Sequence, residues 1–108
     1  MLEEQNEIKI YESRRFGKAL SKLSESQQKI VEDEIDKISD DPEIGEQKKG
    51  DLLHLRVHKF RLDDQQVLLG YSWVEAKIEI YLLHIGSHEG FYQNMKVKRE
   101  IDLNLIKD

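Results

Sequence analysis

Apolar residues recur along this chain with two different periods. Residues 5–12 (QNEIKIYE) alternate, with Ile8 and Ile10 on one side, as a short strand does. From Ser13 the period lengthens. Phe16, Leu20 and Leu23 fall on one helical stripe, and Ile30, Val31, Ile35 and Ile38 on another. Ser24 stands three residues before Gln27, a capping-box pattern that starts the second helix. Asp40-Asp41-Pro42 stops it, because proline cannot continue a helix and restricts the residue before it. Residues 13–39 are therefore expected to form a helical hairpin with a tight turn near Leu23–Ser24.

Residues 42–51 (PEIGEQKKGD) read as a loop. Strands are then expected at about 52–60, 65–73 and 77–85, with Gly86 ending the last. The connections RLDDQ and VEAK suit hairpins, so these strands should be antiparallel neighbours. The predicted fold class is α+β: a helical hairpin packed on one face of a mainly antiparallel four-stranded sheet. Only the C-terminal segment 92–106 is left to cover the other face. Met95, Ile101, Leu103 and Ile106 make it amphipathic enough for a small helix.

The strand expected at 52–60 alternates: Leu53, Leu55 and Val57 one way, His54, Arg56 and His58 the other. The apolar set is expected under the helices and the polar set on the open face, with Lys59 and Arg61 at the strand end. Exposed strand positions usually carry Thr, Lys or Glu, so two imidazoles flanking a guanidinium point to chemistry. Arg56 can donate bidentate hydrogen bonds to a phosphoryl oxygen, and Lys59 or Arg61 adds a point charge. His88 and Tyr92 lie at or just past the turn after the last strand. Phe91, Tyr92 or Trp73 could stack on a nucleobase. An imidazole moves protons near neutral pH. These are the parts of metal-free RNA cleavage: a base, an acid and cations at the phosphate. A zinc site is disfavoured, because His54 and His58 would be about 13 Å apart along a strand. His84 could face either the open side or the core.

Composition narrows the class. The chain has 108 residues, expected to form a single domain over 1–108. It has no cysteine, hence no disulfide framework and no thiolate chemistry. No apolar run is long enough to span a membrane, and MLEEQNEIK has no signal-peptide pattern, so a cytoplasmic location is expected. The net charge of −5 argues against a general nucleic-acid coat protein. The charge is uneven: the first half holds most of the excess acid, and all four histidines lie in the second.

Three segments, KKGDLLHLRVHKF (48–60), QVLLGYSW (66–73) and LLHIGSHEGFYQNMK (83–96), resemble in order and spacing the RelE/ParE superfamily of bacterial type II toxins. The resemblance covers nearly the whole chain. It implies a toxin that cuts mRNA, commonly on the ribosome, by 2′-OH attack with acid–base catalysis and no metal or cofactor. The implied partners are a cognate antitoxin and mRNA, with no membrane. His88 resembles the general acid or base, and Tyr92, or else Phe91, the aromatic that orients the nucleotide. Arg56, His58 and Lys59 resemble the residues that grip the scissile phosphate, and His54 could be a second base. Gln66 departs from the pattern, since many members carry arginine there, and Arg56 or Arg61 would have to substitute. The alternatives are a non-catalytic gyrase poison of the ParE kind and a degenerate member that only binds an antitoxin or DNA.

Overall fold

Two hairpin helices cover one face of a five-stranded sheet, and two short C-terminal helices cover part of the other. The computed structural model describes residues 7–107. Its elements are β1 (Lys9–Glu12), α1 (Arg14–Ser21), α2 (Glu25–Asp40), β2 (Glu46–Gln47), β3 (Arg56–Leu62), β4 (Gln65–Val74), β5 (Glu79–Ser87), α3 (Phe91–Val97) and α4 (Arg99–Lys107). The sheet order is β1-β5-β4-β3-β2. β1 runs parallel to β5 and every other pairing is antiparallel. Four of these strands are the expected ones. The fifth, β2, is two residues long inside the expected loop, too short to leave a periodic signal.

The hairpin forms where the caps place it. Ser13 leaves β1 and starts α1 at once. Its backbone N–H donates to Leu82 O at 2.8 Å, and its hydroxyl donates to Leu83 O at 2.6 Å. The same hydroxyl accepts the N–H of Phe16 at 3.1 Å, satisfying one orphan donor of the helix start. Ser24 and Gln27 form the reciprocal capping box of α2, which ends at Asp40. Phe16, Leu20 and Leu23 pack with Ile30, Val31, Ile35 and Ile38 against one sheet face. That face supplies Phe60, Leu62, Val67, Leu69, Tyr71, Ile80, Leu82 and Ile85.

A second apolar cluster lies on the opposite face. Leu52, Leu55, Val57, Leu68, Tyr81 and Leu83 pack there with Phe91 and Met95 of α3. A bulge in β5 makes this possible. Tyr71 pairs with Leu82 and Gly70 with His84, so Leu83 is an extra residue in the strand. Leu83 and His84 both turn to the α3 side, where His84 stacks on Phe91. The missing side chain of Gly70 lets α3 sit close. A Cβ there would fall 2.9 Å from Leu55 Cδ1 and 2.9 Å from Phe91 Cζ.

The structure corrects several expectations. Of the strand expected at 52–60, only Arg56–Phe60 lies in β3, and Gly50–Leu52 form a 3-10 turn. His54 is therefore off the strand, and Leu53 is 60% exposed. The faces are also reversed. Val57, with Leu55 just before the strand, packs under α3, while His58 and Phe60 face α1 and α2. Alternation separates two faces but does not say which one a given helix will cover. Gly86 does not end the last strand, which runs on to Ser87. The tail forms two helices, broken at Lys98. The predicted first strand begins at residues 5 and 6, outside the described residues. Ile10, expected inward, is 42% exposed on the sheet edge.

Candidate functional site

The site is built at the end of the α3 face that α3 and α4 leave uncovered. β3 presents Val57, Lys59 and Arg61 to this face by alternation. Lys59 lies directly opposite Leu68 of β4, and Leu68 is opposite Gly86 of β5. Arg61 is opposite Gln66, one step further out. The row from Lys59 to Gly86 spans two strand spacings, about 10 Å. Past the end of β5, His88 and Gly90 make the turn into α3. Gly90 has φ of 79°, a left-handed conformation that favours glycine, and it caps the helix.

The turn carries a ladder of rings. His84 stacks on Phe91 at 5.3 Å between centroids, and Phe91 meets Tyr92 edge-on at 5.2 Å. Tyr92 in turn meets the exposed ring of His88 edge-on at 5.9 Å. The ladder runs from the core to solvent and sets the orientation of the outer two rings. Lys48, from the segment after β2, holds its ammonium 5.3 Å from the centre of the Tyr92 ring. The same ammonium bonds the Glu46 carboxylate at 3.1 Å. Burial by itself would lower Lys48, but its bonds to Glu46 and Tyr92 outweigh that and raise it, so it stays a cation. Lys48 in turn holds the Glu46 carboxyl below its usual range, with help from Lys59 and Lys49.

Of the residues expected to form the site, His88, Tyr92, Lys59 and Arg61 come together at this end. Of the other four, His58, Arg56 and His54 lie elsewhere, and Phe91 backs Tyr92 from the core without reaching the surface. His58 lies under α2, 11% exposed, with Nε2 2.7 Å from Glu34 Oε1 and its ring stacked on Phe60. The Arg56 guanidinium donates to Glu43 O at 3.2 Å and Gly45 O at 2.8 Å, holding the loop before β2. Phe91 is 1% exposed and has no face left for a base. His54 is half-buried beside Arg99 and Leu103 of α4. Its carbonyl accepts the Ser72 hydroxyl at 2.5 Å. Ser72 is four residues, roughly 13 Å, along β4 from Leu68. Trp73 packs on the hairpin side.

Lys48 is the residue that sequence reading missed. It lies in a stretch without periodicity, and only the Lys48-Lys49-Gly50 run hinted at it. Arg61 is free to reach outward only in part, since its Nη2 donates to Asp64 O at 2.8 Å within the β3–β4 turn. Among the described residues no three His, Cys, Asp or Glu side chains are grouped to hold a metal ion. No helix among them is long and apolar enough to cross a membrane. The arrangement therefore offers an exposed imidazole and a phenol with Lys48, Lys59 and Arg61 at the same end, where Glu46 pairs with Lys48.

Comparison with known proteins bears on most of the chain. No curated protein sequence matches it. Solved structures do. The free form of an arginine-substituted E. coli RelE toxin superposes with a TM-score of 0.69 at 18% identity, over 87% of this chain and 98% of that one. RelE in the intact E. coli RelBE toxin–antitoxin complex gives 0.64 at 17% identity, over 76% and 98%. RelE bound to a peptide of its antitoxin RelB gives 0.62 at 15% identity, over 85% and 95%. At such identities these likenesses establish the RelE fold. The family profile described as ParE-like toxin of type II bacterial toxin-antitoxin system matches residues 10–96, most of the chain. With fold and sequence profile in agreement, the chain belongs to the ParE-like toxins of bacterial type II toxin–antitoxin systems.

Proposed function

We propose that this toxin is a metal-independent mRNA endoribonuclease acting on the ribosome in the cytoplasm, held in check by a cognate antitoxin. The observation that carries the reading is His88, exposed at the edge of Tyr92 at the sheet end that also holds Lys48, Lys59 and Arg61. Neither Lys59 nor Arg61 has an ion pair among the described residues, and such cations suit a phosphodiester. His88 takes the 2′-OH proton, and the freed oxygen attacks the adjacent phosphorus. Lys59 and Arg61 hold the charge that builds on the phosphoryl oxygens. The P–O5′ bond breaks, leaving a 2′,3′-cyclic phosphate. The Lys48 ammonium or the Tyr92 hydroxyl returns a proton to the 5′-oxygen. His58 and Arg56 have no part in this scheme, since both serve the hairpin side. The RelE structures in complex with RelB support an antitoxin as the protein partner.

A second reading is a non-catalytic gyrase poison. It is favoured by the ParE-like profile and by Gln66, which occupies the open face where a further cation would strengthen the phosphate grip. One experiment separates the two. Labelled mRNA is incubated with the purified protein in EDTA, with and without ribosomes, beside His88→Ala. Cuts ending in 2′,3′-cyclic phosphate that weaken by about 10²–10⁴-fold in the variant support the nuclease. Intact RNA together with blocked DNA supercoiling by gyrase supports the poison.

A further inference from the structure

We infer that His84 is a further substrate-binding residue of this site, and that its Nε2–H donates a hydrogen bond to a non-bridging oxygen of the scissile phosphate. The inference rests on the nuclease reading and adds an uncharged donor to it. The bulge at Leu83 turns the His84 ring to the α3 face. Gly86, two residues on, presents the same face, since it pairs with Leu68. A Cβ at Gly86 would stand 3.4 Å from His84 Nε2 and 4.0 Å from its Cε1. Beyond the glycine's own chain neighbours, no other heavy atom would lie within 4 Å. Gly86 thus leaves an open notch, and the imidazole edge is its wall. Both residues are partly exposed. The notch ends the row that runs from Lys59 through Leu68 to Gly86. A phosphate above the buried Leu68 is flanked by exposed Lys59 on one side and by the His84 edge on the other.

Nothing within the chain accounts for the nitrogens of this ring. Nδ1 is buried with no hydrogen-bond partner, and among the described residues nothing bonds Nε2 either. A ring kept only to pack on Phe91 would be better served by phenylalanine, which has no polar atom to desolvate. Burial lowers His84 below the usual imidazole value, with help from Arg15 and against a pull from Asp102, so the ring is neutral at pH 7. A neutral imidazole has one N–H, on one of its two nitrogens. A buried N–H is left unpaired more rarely than a buried acceptor, which puts the proton on Nε2. The Nε2–H is then a donor whose acceptor lies outside the chain. Stacking on Phe91 fixes the ring plane, so the donor is already oriented when charge builds on the phosphoryl oxygens.

The test is single-turnover cleavage of labelled mRNA by the full-length protein, with and without ribosomes. The proteins are the wild type, His88→Ala, His84→Phe, Gly86→Ala and the variant carrying both of the last two changes. Phenylalanine keeps a ring on Phe91 but has no N–H, and alanine at Gly86 sets a methyl in front of Nε2. Thermal melting checks that each variant folds, and Gly86→Ala decides the matter if His84→Phe does not. The expected result is cleavage slowed by about 10²-fold in each single variant, and no further in the combined one. Sulfur placed at each non-bridging oxygen of the cleaved phosphate in turn adds a readout that a packing role would not move. At one of the two positions it should slow the wild type and leave His84→Phe unaffected. A folded single variant that cuts at the wild-type rate overturns the inference. So does a combined variant whose loss is the product of the two, or an equal sulfur effect in wild type and His84→Phe. In those cases cleavage that His88→Ala abolishes leaves the nuclease reading standing, whereas RNA left intact by the wild type overturns both.

Discussion

Arg15 of α1 grips Asp102 of α4 with both arms of its guanidinium, at 2.8 and 2.9 Å, across 87 positions of chain. Its Nε donates to Asn94 Oδ1 of α3 at 2.9 Å. One arginine thus ties both C-terminal helices to the first helix. The Asp102 side chain is fully buried and that of Arg15 is 17% exposed, so the fork is shielded from screening on the carboxylate side.

Removing the carboxylate should loosen the tail. Asp102→Ala leaves the guanidinium half-buried without its counter-charge, and a loss of about 3 kcal/mol is expected. Urea unfolding measures it. Hydrogen exchange should show the loss of protection concentrated in α3 and α4. A variant as stable as the wild type would mean that the apolar contacts of Phe91 and Met95 alone hold these helices.

Two pH windows should appear in the stability curve. Burial lowers His84 and His54 from the usual imidazole value, helped by Arg15 and, at His54, by Arg99, against an opposing pull from Asp102. The unfolded chain therefore binds protons there first, so stability falls as pH drops below about 6.5. Glu34 sets the second window. Burial alone would raise it, but hydrogen bonds from His58 and Lys37 outweigh this and hold the carboxyl below 4.5. Its stabilisation is present above that value and lost as pH falls through it. Urea midpoints against pH should flatten in the upper window for His84→Phe and in the lower for Glu34→Gln. Slopes that match the wild type in both variants would count against these assignments.

Gly70→Ala should separate α3 from the sheet. The new methyl would meet Leu55 and Phe91 at 2.9 Å, and both are fully buried. Overpacking of this kind costs about 1–3 kcal/mol. Because Phe91 supports Tyr92, RNA cleavage should fall along with the melting temperature. A stable variant with full activity would show that α3 can shift without disturbing the ring ladder.

Lys48→Ala tests the residue that holds Tyr92. The variant should fold normally, since Lys48 is partly exposed and its ammonium, among the described residues, meets Glu46 and Tyr92. Single-turnover cleavage should slow by about 10²-fold, and Lys48→Arg should recover part of that rate. Equal rates for all three proteins would remove Lys48 from the mechanism.

The chain by itself determined the local elements. The caps at Ser13 and Ser24, the stop at Pro42 and the two apolar periods placed the hairpin and the main strands to within a few residues. The same residues, with the order of three short segments, pointed to the RelE/ParE superfamily. His88, Tyr92, Lys59 and Arg61 were legible as site candidates because a turn after a strand, and a strand end, are local features. What only the tertiary structure decided was the sidedness of the sheet. A period of two is symmetric between faces, so His58 and Arg56 could be grouped with His54 in the sequence while the fold sends them to opposite sides. The bulge at Leu83, the Lys48 contact and the Arg15–Asp102 fork depend on pairings between distant residues. Such contacts form only once the whole sheet is in register, and no local pattern records them.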